Sequence, residues 1–298
     1  MVENPADELL ARRFDEHRTR LNAVAYRMLG SMTEAEDAVQ EAWFRLSRTG
    51  DEGIDNLAGW LTTVVGRVCL DMLRARGSRR EDLAGAHVPD PVLAPVDGEG
   101  PEHEAVLADS VGLALLVVLD TLPPAERLAF VLHDMFGVSF ADIAPIVDRE
   151  PAAARQLASR ARRRVRGAAP APDPDLARQR RVVEAFLTAA RGGDFEGLVR
   201  LLHPDATARA DWGALRPGAA AVVHGAEAVA RQAATYAQPA ERARYALING
   251  AFGVVVLSEE GRPFSVLAYT VVDDRIARID ALADPERLAR LDLTALDA

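Results

Sequence analysis

The sequence predicts two small all-α domains followed by one α+β domain. Three observations carry this. Apolar residues recur at helical spacing as far as residue 202, two proline-rich stretches interrupt that pattern, and short strand-like runs replace it beyond residue 243. The 298 residues exceed the ~100–200 of a typical domain. An apolar fraction of 49% is enough to build real cores.

Phe14, Leu21, Val24, Ala25 and Met28 form the inner stripe of a first helix, and Gly30 stops it. Thr33-Glu-Ala-Glu36 has capping-box spacing, with the threonine as cap of a second helix whose inner face is Ala38, Val39, Ala42 and Leu46. A third helix spans about Leu57 to Arg76, with Leu57, Leu61, Val64, Val65, Val68 and Met72 as its buried stripe. Residues 84–101 have no helical spacing. Their prolines remove backbone donors and favour extended chain, so they read as a linker.

Leu113, Leu116, Val117 and Leu119 belong to the next helix, and Pro123-Pro124 opens another carrying Leu128, Val131 and Leu132. Ser139, three residues before Asp142, can cap a short helix, and Pro151 suits the first position of the arginine-rich helix that ends near Arg166. Two short helices on a tight turn, the second rich in arginine, form a helix-turn-helix pattern. A second proline-rich linker covers 167–174. Val182, Val183, Phe186 and Leu187, then Leu198, Leu201 and Leu202, mark two more helices. Strand-like runs follow at Ala243–Asn249, Phe252–Leu257, Phe264–Val272 and Arg275–Ala281, with Asp273-Asp274 as a hairpin turn. Helices followed by a meander imply an α+β domain with a curved antiparallel sheet.

Composition excludes several classes. Cys69 is the single cysteine, so neither an intramolecular disulfide nor a cysteine-rich zinc site is available. The longest apolar run, Val111 to Leu119, is far below the ~18 residues of a membrane span. The acidic N-terminus lacks the apolar core of a secretory signal, so a cytoplasmic location is expected. The net charge is −10, which argues against sequence-blind nucleic-acid binding. Positive charge is local: residues 155–166 hold six arginines and no acid, and residues 67–80 hold five against Asp71 alone. Two basic patches on an acidic body point to an anion met at two defined places.

Three helical faces can carry chemistry. Trp60, Thr63, Arg67, Asp71 and Arg74 align opposite the apolar stripe of the third helix. Arginines hold phosphates bidentately and an aromatic ring gives an unstacked base a platform, which suits melting DNA. A solvated face with a half-buried tryptophan explains the same pattern. On the second helix, Asp37, Gln40, Glu41, Phe44 and Arg45, with Trp43 at the edge, resemble a protein-binding surface, and again a plain solvated face is the competing reading. Arg155, Gln156, Ser159, Arg160 and Arg163 supply groups that pair with guanine and adenine edges or with phosphates, and a charged helix end favoured by the macrodipole is the competing reading.

These residues resemble a known family. Tyr26-Arg-Met-Leu-Gly-Ser31, Ala35-Glu-Asp-Ala-Val-Gln-Glu-Ala-Trp43, the run Trp60 to Arg74 and the helix-turn-helix at 138–166 together resemble an extracytoplasmic-function RNA polymerase sigma factor. The resemblance implies a sigma-2 domain at 7–83, a linker at 84–104 and a sigma-4 helix-turn-helix domain at 105–167. It implies that Asp37, Gln40, Glu41, Trp43 and Phe44 dock on the β′ clamp helices of core RNA polymerase, with the β flap as a further contact. Trp60, Thr63, Arg67, Asp71, Arg74 and Arg76 then open and read the −10 element, and Arg149, Ala153, Arg155, Gln156, Ser159, Arg160 and Arg163 read the −35 element of promoter DNA.

Gln179 to Leu187, Gly192 to Leu198, Asn249-Gly250 and Ala281 to Leu288 are similar to the SnoaL/NTF2-like extension of SigJ-type sigma factors, a cone-shaped α+β domain, here at 175–298. That group carries a Leu-Pro-Glu-Pro motif in its linker, for which Val88-Pro89-Asp90-Pro91 is a variant. Its Asp-Gly-Gly-Gly stretch corresponds here to Asp211-Trp-Gly-Ala214. The resemblance implies regulation in cis through contacts of the extension with the linker and the sigma domains. NTF2-like cones also host isomerases and cyclases, so His203, Asp205, Asp211, Tyr269 and Asp280 are candidate pocket groups, with Asp284 and Pro285 as candidate contacts. No metal or cofactor is expected, and a small ligand of unknown identity is an open possibility. The competing functions are a ligand-responsive helix-turn-helix regulator that binds duplex DNA without polymerase, and a residual isomerase or cyclase.

Overall fold

The computed structural model describes residues 5–79, 87–98, 111–168, 173–213, 222–235 and 242–296. The chain divides into two compact units, one formed by residues 1–82 and 118–168 and the other by residues 83–117 and 169–298. Linker positions 84–86 and 99–104, and Ala214, lie outside the described residues.

The first unit begins with helices α1 (Pro5–Leu29), α2 (Met32–Thr49) and α3 (Leu57–Arg79), which pack against one another. Phe14, Leu21, Val24, Met28 and Leu46 are fully buried, as their spacing predicts. The start of α2 differs from expectation. Ser31, in extended conformation, is its N-cap and makes no side-chain cap bond, while Thr33 lies inside the helix. Gly30 ends α1 at φ 71°, so the chain reverses at once and α2 restarts before Thr33 can cap it. The buried side of α3 is also wider than one stripe. It includes Thr62, Cys69, Leu70 and Leu73, while Met72 is only half-buried. Its cause is that α3 packs on α1 and α2 and also on the second helical cluster.

That cluster contains α5 (Pro124–Phe130), which runs on through a π-type turn at Val131–Met135, then α6 (Phe140–Val147) and α7 (Pro151–Ala168). Helix α4 (Leu113–Asp120) lies across the boundary between the units. Ser139 caps α6 by accepting from the Asp142 N–H at 3.2 Å. Ala154, Ala158 and Ala161 are buried at i, i+4 and i+7, and their small side chains let α7 close on α5 and α6. Arg127, 1% exposed, ties the cluster to α1. It donates twice to the Arg27 carbonyl at 3.2 Å and once to Asp120 at 3.0 Å. An end carbonyl of α1 thereby gains a cationic partner.

The second unit holds a seven-stranded sheet in the order β1-β4-β5-β6-β7-β2-β3. The expected meander is β4 (Ala243–Ile248), β5 (Ala251–Leu257), β6 (Pro263–Val272) and β7 (Arg275–Leu282), all antiparallel. Three strands come from segments without strand pattern: β1 (Leu93–Ala94), β2 (Leu202–Asp211) and β3 (Val223–His224). The sheet is therefore mixed, because β2 runs parallel to β7. Helices α8 (Leu176–Gly192), α9 (Phe195–Leu201) and α10 (Ala226–Thr235) share one core with the sheet, including Phe186, Leu198, Phe252, Tyr269 and Ile279. A short helix α11 (Pro285–Leu288), capped by Asp284, follows β7.

Candidate nucleic-acid interface and linker clasp

On α2, Asp37, Gln40 and Phe44 are exposed, and Phe44 keeps 48% of its surface in solvent. Glu41 is half-buried and accepts from Arg45 at 2.8 Å. Trp43 turns inward against Phe14, with ring centres 5.2 Å apart. The expected docking face thus presents two polar groups around one exposed aromatic, with Trp43 supporting it from below.

On α3, Trp60 and Thr63 are half-buried, and Arg67, Asp71 and Arg74 are exposed. The Thr63 hydroxyl donates back to the Gly59 carbonyl at 2.9 Å. Arg67 donates to the Pro145 carbonyl of α6 at 3.2 Å, an end carbonyl that the helix itself leaves unmet. Asp71 and Arg74 pair at 3.7 Å. Arg76 departs from the expected face. It pairs with Glu34 and donates to the Leu29 carbonyl at 3.0 Å, so it holds the ends of α1 and α2.

On α7, Arg155, Gln156, Arg160 and Arg163 are exposed and Ser159 half-buried, opposite the buried alanines. Arg155 lies 5.5 Å over the Phe140 ring, which orients its guanidinium. Arg160 is 3.3 Å from Glu126 and Arg164 2.6 Å from it, so Arg160 is shared with the scaffold. Ala153 is half-buried near the start of α7, and Arg149 in the turn donates to the Asp148 carbonyl at 3.1 Å.

The linker variant motif is fastened to the second unit. Arg287 of α11 donates to Asp90 at 2.7 Å, to Asp211 at 2.8 Å and to the Val88 carbonyl at 2.6 Å. Asp211 also accepts from the Val88 N–H at 2.9 Å and lies 3.3 Å from His87 Nδ1. Val88, Pro89 and Pro91 are buried. Farther along, the Val92 N–H donates to Asn249 Oδ1 at 3.1 Å, and the Asn249 N–H donates to the Val92 carbonyl at 2.8 Å. Leu93 and Ala94 then pair with β4. Burial alone would raise the Asp211 carboxyl. The His87 hydrogen bond, the N–H groups of Val88 and Gly213, and the Arg287 charge outweigh it and pull the group down to about 2.

The Sigma-70 region 2 family matches residues 13–79 and Sigma-70 region 4 matches residues 112–165. The ECF RNA polymerase sigma factor SigJ of Mycobacterium tuberculosis is 38% identical over 288 residues, covering 92% of this chain and 91% of that protein. The chain belongs to the extracytoplasmic-function family of RNA polymerase sigma factors. The probable ECF sigma factor SigI of the same species is 40% identical over 198 residues, covering 65% of this chain and 67% of its own. The crystal structure of M. tuberculosis SigJ superposes with a TM-score of 0.75 at 35% identity, covering 95% of this chain and 99% of that one.

This sigma factor is accordingly an initiation factor and not an enzyme. No helix among its described residues is long and apolar enough to cross a membrane. The candidate pocket groups are dispersed. An apolar cavity of about 120 Å³ lies in the second unit, and of these candidates only Tyr269 lines it. Burial pushes the Tyr269 hydroxyl well above its ordinary range, so it stays protonated. Asp280 alternates with the lining residues Ile279 and Ala281 and so faces the other side of the sheet, 2.8 Å from Arg278. Burial raises its carboxyl against the pull of Arg278 and Arg209. His203 and Asp205 lie at the irregular start of β2, where His203 Nδ1 accepts from the Asp205 N–H at 3.2 Å. Asp211 serves the clasp, and Asp284 and the exposed Pro285 begin α11. Gly213 faces Asp284 at φ 57°, where a Cβ would sit 2.1 Å from its carboxylate, so the glycine retained from the family motif is required by close approach.

Arg287 and Asn249 are functional candidates that sequence reasoning did not single out. Both sit inside stretches that carry the family resemblance, Ala281 to Leu288 and Asn249-Gly250. Asn249 holds φ 49°, a left-handed turn conformation that asparagine tolerates.

Proposed function

We propose that this sigma factor reads its promoter with two faces and is governed in cis through its linker. Trp60, Thr63, Arg67 and Arg74 engage the −10 element, with Arg76 assigned to the scaffold. Arg155, Gln156, Ser159 and Arg163 read the −35 element, with Arg160 as a secondary contact. Asp37, Gln40 and Phe44, backed by Trp43, dock on the clamp helices of core polymerase in the cytoplasm, and region 4 meets the β flap. The anionic body repels free DNA, so tight promoter binding depends on polymerase.

The observation that carries cis control is the Arg287 clasp. Between Arg79 and Leu113 lie 33 residues (113 − 79 − 1), which join regions 2 and 4. An extended chain reaches at most about 3.3–3.6 Å per residue, so pinning residues 88–94 shortens the tether available for spanning two promoter elements. Releasing the clasp restores that length. Run-off transcription with core polymerase tests this by comparing the full chain with its Arg287→Ala variant. Altered promoter-dependent initiation at unchanged polymerase affinity supports the reading. Identical initiation from both proteins rejects cis control through the clasp.

A further inference from the structure

The cavity of the second unit is walled by Phe186, Trp212, Val229, Tyr269 and Ile279, among other apolar groups. A void of this kind is normally closed by packing, because its lining loses dispersion contacts. Arg209, Ser265 and Gln232 are polar residues of its wall, and the side-chain carbonyl oxygen of Gln232 is buried without a hydrogen-bond partner among the described residues. A buried acceptor left unmet is a second cost at the same place. A guest that fills the space and donates one hydrogen bond removes both. At about 120 Å³ the space resembles engineered apolar cavities that accept a single benzene ring. Phe186 and Tyr269, in edge-on contact at 6.1 Å, offer aromatic surfaces on which such a ring packs.

We propose that this cavity is a binding site for a small aromatic molecule carrying one hydrogen-bond donor, which Gln232 accepts, and that its occupancy is felt at the linker clasp. The connection is covalent and short. Trp212 lines the cavity, and the preceding residue, Asp211, holds Arg287 and Val88. Ala283 also lines the cavity and donates its N–H to the Asp211 carbonyl at 2.7 Å. The regulatory use of the site rests on the clasp reading above; the binding itself does not.

Fluorine NMR on the full chain tests it with two probes of similar size, 4-fluorophenol and 4-fluoroanisole, of which only the first donates. The expected result is binding of both, with the phenol favoured by roughly five- to tenfold. Gln232→Met erases the preference, and Ala233→Leu, which narrows the cavity, weakens both probes. Failure of either probe to bind the unmodified protein, or equal binding of the two, overturns the site without reliance on any variant. Hydrogen exchange of the Val88 and Val92 amides, read with and without saturating 4-fluorophenol, tests the coupling. Changed protection supports it, and unchanged protection at saturation refutes the link to the clasp while leaving the Arg287 transcription test to stand or fall separately.

Discussion

Arg287 Nη1 lies 2.8 Å from Asp211 Oδ2, 76 positions away in sequence, and the same guanidinium closes on Asp90 and the Val88 carbonyl of the linker. Both carboxylates are largely buried, so removing the cation takes one charged partner from each of two desolvated groups. Arg287→Ala is expected to cost about 2–4 kcal/mol in the stability of the second unit. Arg287→Lys keeps the charge but not the planar fork and recovers only part of that loss. Urea denaturation of the full chain measures the cost. Hydrogen exchange should show the Val88 and Val92 amides deprotected first.

Asp211 gives the clasp an acid limit. Its carboxyl is held at about 2 in the folded chain, below the ~3.9 of an unfolded aspartate. A depressed folded value stabilises the fold fully above the unfolded value, and that contribution is lost as pH falls through about 2. The stability gap between the parent and Asp211→Asn should therefore be constant at neutral pH and shrink from about pH 5 downward. Denaturation midpoints of the two proteins across that range are the measurement. A constant gap down to pH 3 would contradict the assignment.

The helical part of the molecule was legible because its signals are local. Apolar spacing placed α1, α2, α3 and α8, and Ser139 with Pro151 placed the helix-turn-helix. The meander β4 to β7 was legible from its β-branched runs and the Asp273-Asp274 turn. Strand β2 was not. Its sequence LHPDATARAD holds alanines, acids and a proline, residues of low strand propensity, and only pairing with β7 makes it a strand. The two residues of β1 likewise owe their structure to the β4 edge. Among site residues, the exposed arginines of α7 followed from periodicity. The diversion of Arg76 to Glu34 depends on a partner 42 positions away, and the placement of Asp280 behind the cavity depends on strand facing. Neither has a local sequence signal.

Within α7 the arginines should not be equivalent. Arg155 is oriented by Phe140 and Arg163 is exposed at the outward face, whereas Arg160 sits 3.3 Å from the buried Glu126. Arg155→Ala and Arg163→Ala are expected to weaken −35 recognition by about 1–3 kcal/mol where they read bases. Arg160→Ala is expected to weaken it less and to cost some fold stability, because the buried Glu126 then loses one of the two arginines that pair with it, Arg160 and Arg164. Holoenzyme affinity for promoters with single −35 substitutions separates the two effects: a base-reading arginine loses discrimination at one position, and a scaffold arginine loses none.

Arg67 has to leave one partner before it can serve another. In the free chain its guanidinium donates to the Pro145 carbonyl at 3.2 Å, and the side chain is exposed. An exposed hydrogen bond of this kind contributes little, so Arg67→Ala should shift the unfolding free energy by less than about 0.5 kcal/mol. Its loss should nevertheless slow open-complex formation, because α3 then offers the separated strand one cation fewer. The salt slope of promoter opening should flatten by about one phosphate contact. Stopped-flow measurement of promoter opening by the holoenzyme at several salt concentrations reads both quantities. An unchanged slope would leave Arg67 with the α6 carbonyl as its only role, and the −10 face would then have to be drawn around Trp60, Thr63 and Arg74 alone.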